Sequence, residues 1–287
     1  MVETASKVNG FVVSERPEQK LNRVCECNVF DCRCMIVQIY EIQNPDQADA
    51  MIALGVDHVG SVILTADAWK CPEIKETVGV VQNAGRKSSL IPLFGNRDVI
   101  ARLLDYYRPD ILHLCETLPA DGLGQDTLEQ FVEAQQSIRT RFPGIEIMRS
   151  IPVANNGFSH LLPSVELARY FEWCSDWLLI DTLLMDSPRK DQPVDGYVGI
   201  TGRTCDWATA AKLVDAVRIP VILAGGLGPG NAYDAVLKVQ PAGIDSCTNT
   251  NAVDAAGHPI RFHKDTRKVH DFMMAVNRAT AQLGMVR

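Results

Sequence analysis

Asp181 closes an apolar run, WLLID (177–181). A carboxyl group at the end of such a run is desolvated, which raises its pKa and lets it carry a proton near neutral pH. Further along, AGGLGPGN (224–231) holds Gly225 and Gly226 where the backbone can approach an anion closely. The N–H groups opening the next helix would point at that anion, and a side chain on Gly226 would intrude on its space. A plainer use exists for each: an aspartate that bonds a neighbouring loop, and glycines that only form a tight turn. The segment CECNVFDCRC (25–34) gathers Cys25, Cys27, Cys32 and Cys34, four of the 9 cysteines, in a Cys-x-Cys-x4-Cys-x-Cys spacing. Closely paired thiolates suit a structural metal, tetrahedral zinc or an iron–sulfur cluster. Free thiols ahead of the first strand are the alternative reading.

These residues need elements to position them, and the chain alternates strand and helix from residue 35 onward. MIVQIYE (35–41) predicts a strand, and Asn44 with Pro45 predicts the cap and first turn of a helix ending at Gly55. HVGSVIL (58–64), SSLIPLFG (88–95), ILHLCE (111–116), EIMRSIPV (146–153), WLLIDT (177–182), PVILAGG (220–226) and GIDSCT (243–248) predict the other strands. Helices are expected from Pro72, near 97–107, near 126–141 with Asp126 and Glu129 as a capping box, near 160–172, after Asp206, and after each of the last two strands. Continuous apolar strands mean burial on both faces, as in a parallel sheet. Eight such units predict a closed (βα)8 barrel, the TIM-barrel form of the α/β class, as one domain over 35–287 behind an N-terminal extension at 1–34. In such barrels the chemistry sits at the carboxyl ends of the strands, and the loops after strands seven and eight recurrently bind phosphate.

The strand ends carry a resemblance. ITGRTCDW (200–207), AGGLGPGN (224–231) and LLIDT (178–182), in that family's order and spacing, are similar to phosphoribosylanthranilate isomerase, a tryptophan-pathway barrel. The similarity runs from residue 36 to the last helix. It implies Asp181 as general acid in an Amadori rearrangement. It also implies a phosphate held by Gly202, Gly225 and Gly226 together with Thr248, which stands with Cys247 and Asn249 where the family has Ser-Ser-Gly. The opposite side of the mouth is rewritten. In VQIYEIQ (37–43) Gln38 replaces a lysine, Tyr40 the cysteine that is the family's base, and Glu41 a glycine. A tyrosine hydroxyl, with a reference pKa near 10, is a poor base at pH 7, and a ring in the barrel mouth removes room for an aromatic substrate. Glu41, Cys115 and Asp67 are the other base candidates. Ala68 matches the family's carboxylate-binding arginine, which leaves Lys70 as a candidate anion clamp. His113 and Arg149 occupy positions of the fourth and fifth strands that the resemblance places at the substrate.

Composition narrows the partners. A formal charge of −7 and a pI near 5.4 argue against a nucleic-acid surface, which usually carries a basic stripe. No apolar run reaches membrane-span length, and the first twenty residues lack a secretory pattern, so a cytoplasmic protein is expected. Oligomeric state is left open. The leading expectation is an acid–base isomerase of a small phosphorylated sugar derivative that requires no cofactor, with the family's own tryptophan-pathway reaction disfavoured by Tyr40 and Ala68. Its rival is a catalytically degenerate barrel that binds a phosphorylated ligand or serves as a scaffold. A carboxylate or thiol facing Asp181 would favour the enzyme; a close-packed mouth with no ionisable group near Asp181 would favour the rival.

Overall fold

A computed structural model describes residues 6–8, 11–13, 35–118, 125–185 and 194–284. Cys25, Cys27, Cys32 and Cys34 lie outside the described residues. Within the extension, Ser6–Val8 and Phe11–Val13 pair as a short antiparallel ribbon.

Eight parallel strands close into a barrel: β1 (Ile36–Ile39), β2 (His58–Ile63), β3 (Lys87–Pro92), β4 (Ile111–Leu114), β5 (Glu146–Ala154), β6 (Trp177–Leu183), β7 (Val221–Leu223) and β8 (Gly243–Ser246). Sequence neighbours pair throughout, and β8 closes the ring on β1 with Gly243 opposite Ile36. Helices α1 (Pro45–Ala53), α2 (Pro72–Asn83), α3 (Arg97–Tyr107), α4 (Gln125–Arg141), α5 (Ser164–Glu172), α6 (Trp207–Ala216), α7 (Ala232–Val239) and α8 (Thr266–Gln282) surround it. Their starts follow from capping chemistry: the side chains of Asn44, Asn96, Asp206 and Asp265 accept main-chain N–H groups of the first turns of α1, α3, α6 and α8. None of the described helices is long and apolar enough to cross a membrane.

Alternation along each strand sorts the side chains. Val37, Ile39, Ile151, Leu178, Ile180, Leu223 and Ile244 face outward into the main apolar layer between barrel and helices. The inward set is polar for a barrel interior: Gln38, Tyr40, His113, Ser150 and Asp245 are all buried.

Two elements differ from the sequence expectation. The helix expected over 160–172 begins only at Ser164, behind a short 3-10 turn, Ser159–Leu161. Pro163 forces Leu162 into an extended conformation (φ −125°, ψ 129°), because the residue before proline is sterically disfavoured in helix. After β8 the chain does not enter a helix directly. It makes a 3-10 turn, Thr248–Thr250, and an antiparallel hairpin, Asn251–Val253 with Pro259–Lys264, before α8 starts.

Candidate active site

The carboxyl ends of β6, β7 and β8 build one side of the mouth. Gly225 (φ 85°) and Gly226 (φ 59°) are left-handed, a conformation that L side chains seldom adopt. The glycines serve close approach of backbones. A Cβ on Gly225 would lie 2.2 Å from Thr182 Oγ1, and one on Gly226 would lie 2.5 Å from the Arg203 carbonyl carbon. The expectation that a Gly226 side chain would project into the anion's space is therefore corrected: it would strike the Gly202–Arg203 backbone and push two mouth loops apart. Those loops are stitched by Asn249 Nδ2 donating to the Gly226 carbonyl (2.7 Å), Asn231 Nδ2 to the same oxygen (3.0 Å) and Thr182 Oγ1 to the Arg203 carbonyl (2.8 Å). Gly202, Gly225, Gly226 and Thr248 consequently line one small cavity. Among the described residues, no oxygen accepts from the main-chain N–H of Gly226, Leu227 or Thr248. Uncommitted N–H groups around such a concavity are what an anion requires.

Two carboxyl groups share that cavity. Asp181, at the end of β6, and Asp245, on β8, both line it, and both also line the deeper cleft bounded by Tyr40, His113 and Cys115. Asp181 keeps partial contact with the cleft, yet its packed surroundings push its carboxyl up to about 7, against the N–H of Thr182, which favours the charged form. Asp245 is more enclosed, at 6% exposure. Burial and then the charge of Asp181 push it up to about 8, opposed by the Gln38 amide (Nε2 to Oδ1, 3.1 Å) and by Lys264. Two coupled carboxyls of this kind hold a proton between them near neutrality. Asp245 was not singled out from the sequence, although the signal that exposed Asp181, an ionisable group in an apolar strand, is present in GIDSCT.

The side of the mouth built from β1 to β5 is closed by hydrogen bonds. The Tyr40 hydroxyl bonds Ser89 Oγ and also His113 Nδ1 (2.8 Å), and His113 Nε2 bonds Ser150 Oγ (2.8 Å). Deeper in, Gln38 links Asp245 to His58 Nδ1 (3.2 Å). Burial holds both imidazoles near 3, so they are neutral, and holds the Tyr40 hydroxyl well above its ordinary value. The Tyr40 ring lies directly on Gly60, where a Cβ would come within 2.1 Å of Cδ1. Cys115 lines the cleft, but burial, with Glu116 and Asp181 nearby, pushes its thiol well up, so it stays protonated.

The remaining candidates are committed to other partners or placed elsewhere, although Glu41 also lines the cleft. Glu41, in the left-handed region at φ 65° where the similar family has glycine, turns its carboxylate to the hairpin. It accepts from Arg261 Nε (2.6 Å) and Asn251 Nδ2 (3.3 Å), which commits it to an ion pair and corrects its reading as a base. Lys70 is exposed and lies over the Tyr106 ring at 4.9 Å, on the α3 side of its loop, with Asp67 and Ala68 also exposed. Its reading as an anion clamp is corrected: the loop carries it away from the cavity. Arg149 points outward, as strand alternation demands with Ser150 pointing in. It donates to Gln135 (2.7 Å) and Glu116 (2.7 Å) and is sandwiched by Phe131 and Phe171. Its assignment to substrate is thus also corrected. A roomier cleft lies on that outer side, between α3 and α4, lined by Arg97, Arg141, Arg149 and Glu116. Its buried guanidinium is spent on protein partners, and it lies away from the strand ends where the raised carboxyls gather. Among the described residues, no three His, Cys, Asp or Glu side chains converge on a metal position.

No protein-family model matches the chain. It is similar to N-(5'-phosphoribosyl)anthranilate isomerase of Methanocella arvoryzae, 32% identical over 139 residues, which cover 48% of this chain and 54% of that protein. The enzyme of the same name from Methanothrix thermoacetophila is 25% identical over 243 residues, 84% of this chain and 97% of that protein. The chain thus spans about half the length of the first of these relatives and nearly all of the second. A crystal structure of phosphoribosyl anthranilate isomerase in complex with reduced 1-(o-carboxyphenylamino)-1-deoxyribulose 5-phosphate shares the fold, with a TM-score of 0.60 at 19% identity. That match covers 85% of this chain and 100% of the other. The chain resembles this family in sequence, and its barrel is theirs.

Proposed function

We propose that the protein is an acid–base isomerase of a small phosphorylated sugar derivative, related to phosphoribosylanthranilate isomerase. The observation that carries this reading is the pairing of Asp181 and Asp245 on the same cavity as Gly202, Gly226 and Thr248. The phosphate sits against the free N–H groups of Gly226, Leu227 and Thr248. That anchor presents the first carbons of the sugar to the two carboxyl groups. The pair holds one proton near neutrality: the protonated carboxyl protonates the carbonyl, ring or imine heteroatom, the other, as carboxylate, takes the proton from the adjacent carbon, and the resulting enol or enamine collapses to the isomer. One proton enters and one leaves, so no cofactor or redox partner is needed. A carboxylate beside Asp181 also speaks against the rival reading of a barrel without chemistry.

The test is incorporation of solvent deuterium into an aldopentose or ketopentose 5-phosphate, followed by NMR. Carbon-bound hydrogen next to the carbonyl should exchange with the wild-type protein and at least about a hundredfold more slowly with Asp181→Asn. An Asp181→Asn variant exchanging at the wild-type rate overturns the assignment, as does wild-type protein that exchanges no sugar phosphate.

A further inference from the structure

We infer that the site selects phosphorylated sugars without an aryl substituent, and that Tyr40 is the residue that excludes the aryl group. The inference rests on the phosphate reading above and adds the chemistry of the far end of the substrate.

The rim cavity and the deeper cleft meet at Asp181, Ile200, Asp245 and Cys247. A ligand anchored at the rim whose sugar reaches between the two carboxyls enters that cleft, and Tyr40 forms part of the cleft wall. The ring is not a movable gate. It rests against Gly60, the only residue type that leaves room for it there, since a Cβ would approach three ring carbons to 2.1, 2.2 and 2.7 Å. Its hydroxyl is tied to β3 through Ser89 and to β4 through His113, and His113 is tied onward to β5 through Ser150. All four side chains are buried, at 3% exposure or less. Rotating the ring away would leave the buried Ser89 and His113 without that hydrogen-bond partner, which is costly in a buried site. Val62, Ile91 and Leu93 fill the wall beside the ring. A planar six-membered ring on the substrate would have to share this space, and overpacking of this kind is costly. Lys70 is carried away, Arg149 faces outward, and Lys264, the ammonium near Asp245, is spent on the Cys247 carbonyl (2.7 Å) and Asn251 Oδ1. An aryl carboxylate would therefore lose its room and its counter-charge together.

Isothermal titration of the full chain decides this, with a pentulose 5-phosphate and an N-(carboxyaryl)-1-amino-1-deoxypentulose 5-phosphate as paired probes and inorganic phosphate as the common anchor. The wild-type protein should bind the pentulose phosphate at least about tenfold more tightly than the aryl compound. Tyr40→Phe keeps the ring, and the preference should persist. Tyr40→Ala removes it, and the aryl compound should gain at least about tenfold relative to the pentulose phosphate. If Tyr40→Ala does not fold, Tyr40→Leu, which keeps an apolar wall and removes the ring, is read in the same way, and an aryl compound that gains nothing when the ring is removed overturns the role of Tyr40. Wild-type protein that binds the aryl compound as tightly as the pentulose phosphate overturns this inference and leaves the phosphate reading intact. Failure of inorganic phosphate and both sugar phosphates to bind overturns the phosphate reading and this inference with it.

Discussion

The two halves of the barrel mouth are built to opposite designs. On the β6–β8 half, backbone groups are left uncommitted: Gly225 and Gly226 are left-handed, the loops touch backbone to backbone, and two carboxyls are held above their ordinary values. On the β1–β5 half the inward side chains of Tyr40, Ser89, His113 and Ser150 are spent on one another. Unsatisfied donors and desolvated acids cost stability and are kept where something must bind or react. Satisfied networks rigidify a core and leave no reactive group. The contrast teaches that this barrel concentrates its chemistry on one half and uses the other as a shaped wall.

The largest expected effect breaks the reactive half. Asp245→Asn should slow deuterium exchange by about 10²- to 10⁴-fold, the usual range for removing a positioned acid or base. Exchange within a few-fold of wild type would return the base to some other group. The wall half should fail differently. Arg149→Ala leaves Glu116 unpaired behind the barrel and empties the slot between Phe131 and Phe171. Chemical denaturation should show a loss of about 3 kcal/mol, with phosphate binding unchanged. Lost binding at intact stability would place Arg149 at the ligand after all.

A smaller effect sharpens the anion half. With phosphate at a hundred times its Kd, wild-type protein should gain about 2.7 kcal/mol of apparent stability. Thr248→Glu puts a carboxylate on the cavity rim and should erase that gain, read as the ligand-induced shift in Tm. Gly226→Ala is a poorer probe, because its Cβ meets the Arg203 backbone and the loss of binding would come with a damaged fold.

A further effect is on pH. Asp181 and Asp245 have folded-state pKa values raised to about 7 and about 8 from 3.8. The folded state thus holds protons that the unfolded chain releases. Their contribution is fully present below pH 3.8 and is lost as pH rises through the folded values. Between pH 4 and pH 8 stability should fall by several kcal/mol from these groups, at about 1.4 kcal/mol per unit of raised pKa, and Asp245→Asn should flatten the slope. A rising slope that the variant leaves untouched would contradict the raised values. The exchange rate should peak between about 7 and 8, where the pair holds one proton, and decline on both sides.

Much of this was legible in the residues themselves. Alternating strands and helices gave the closed barrel, because local capping at Asn44, Asn96, Asp206 and Asp265 agrees with the apolar runs they separate. The Gly225–Gly226 turn and Asp181 were visible because each combines a residue type with a telling position. Orientation was harder. Glu41 could be set aside only by strand parity, and its partner Arg261 lies far along the chain in a hairpin that interrupts the expected β8-to-α8 step. That hairpin had a signal, the Ala256-Gly257 turn between short alternating stretches, but the barrel rhythm overrode it. Arg149 and Lys70 were misplaced because alignment of strand ends says which loop a residue occupies and not which way it faces. Asp245 is hard to read from sequence because its strand, GIDS, is only four residues long and opens on glycine, so the alternation that would mark the carboxyl as inward is barely defined.

A crystal soaked with a pentulose 5-phosphate tests the central claim most directly, since it locates phosphate and sugar at once. The phosphate should lie against the N–H groups of Gly226, Leu227 and Thr248, with the first sugar carbons between the carboxyls of Asp181 and Asp245 and the Tyr40 ring unmoved. Phosphate bound at another place on the barrel, or a sugar that turns away from both carboxyls, would contradict it.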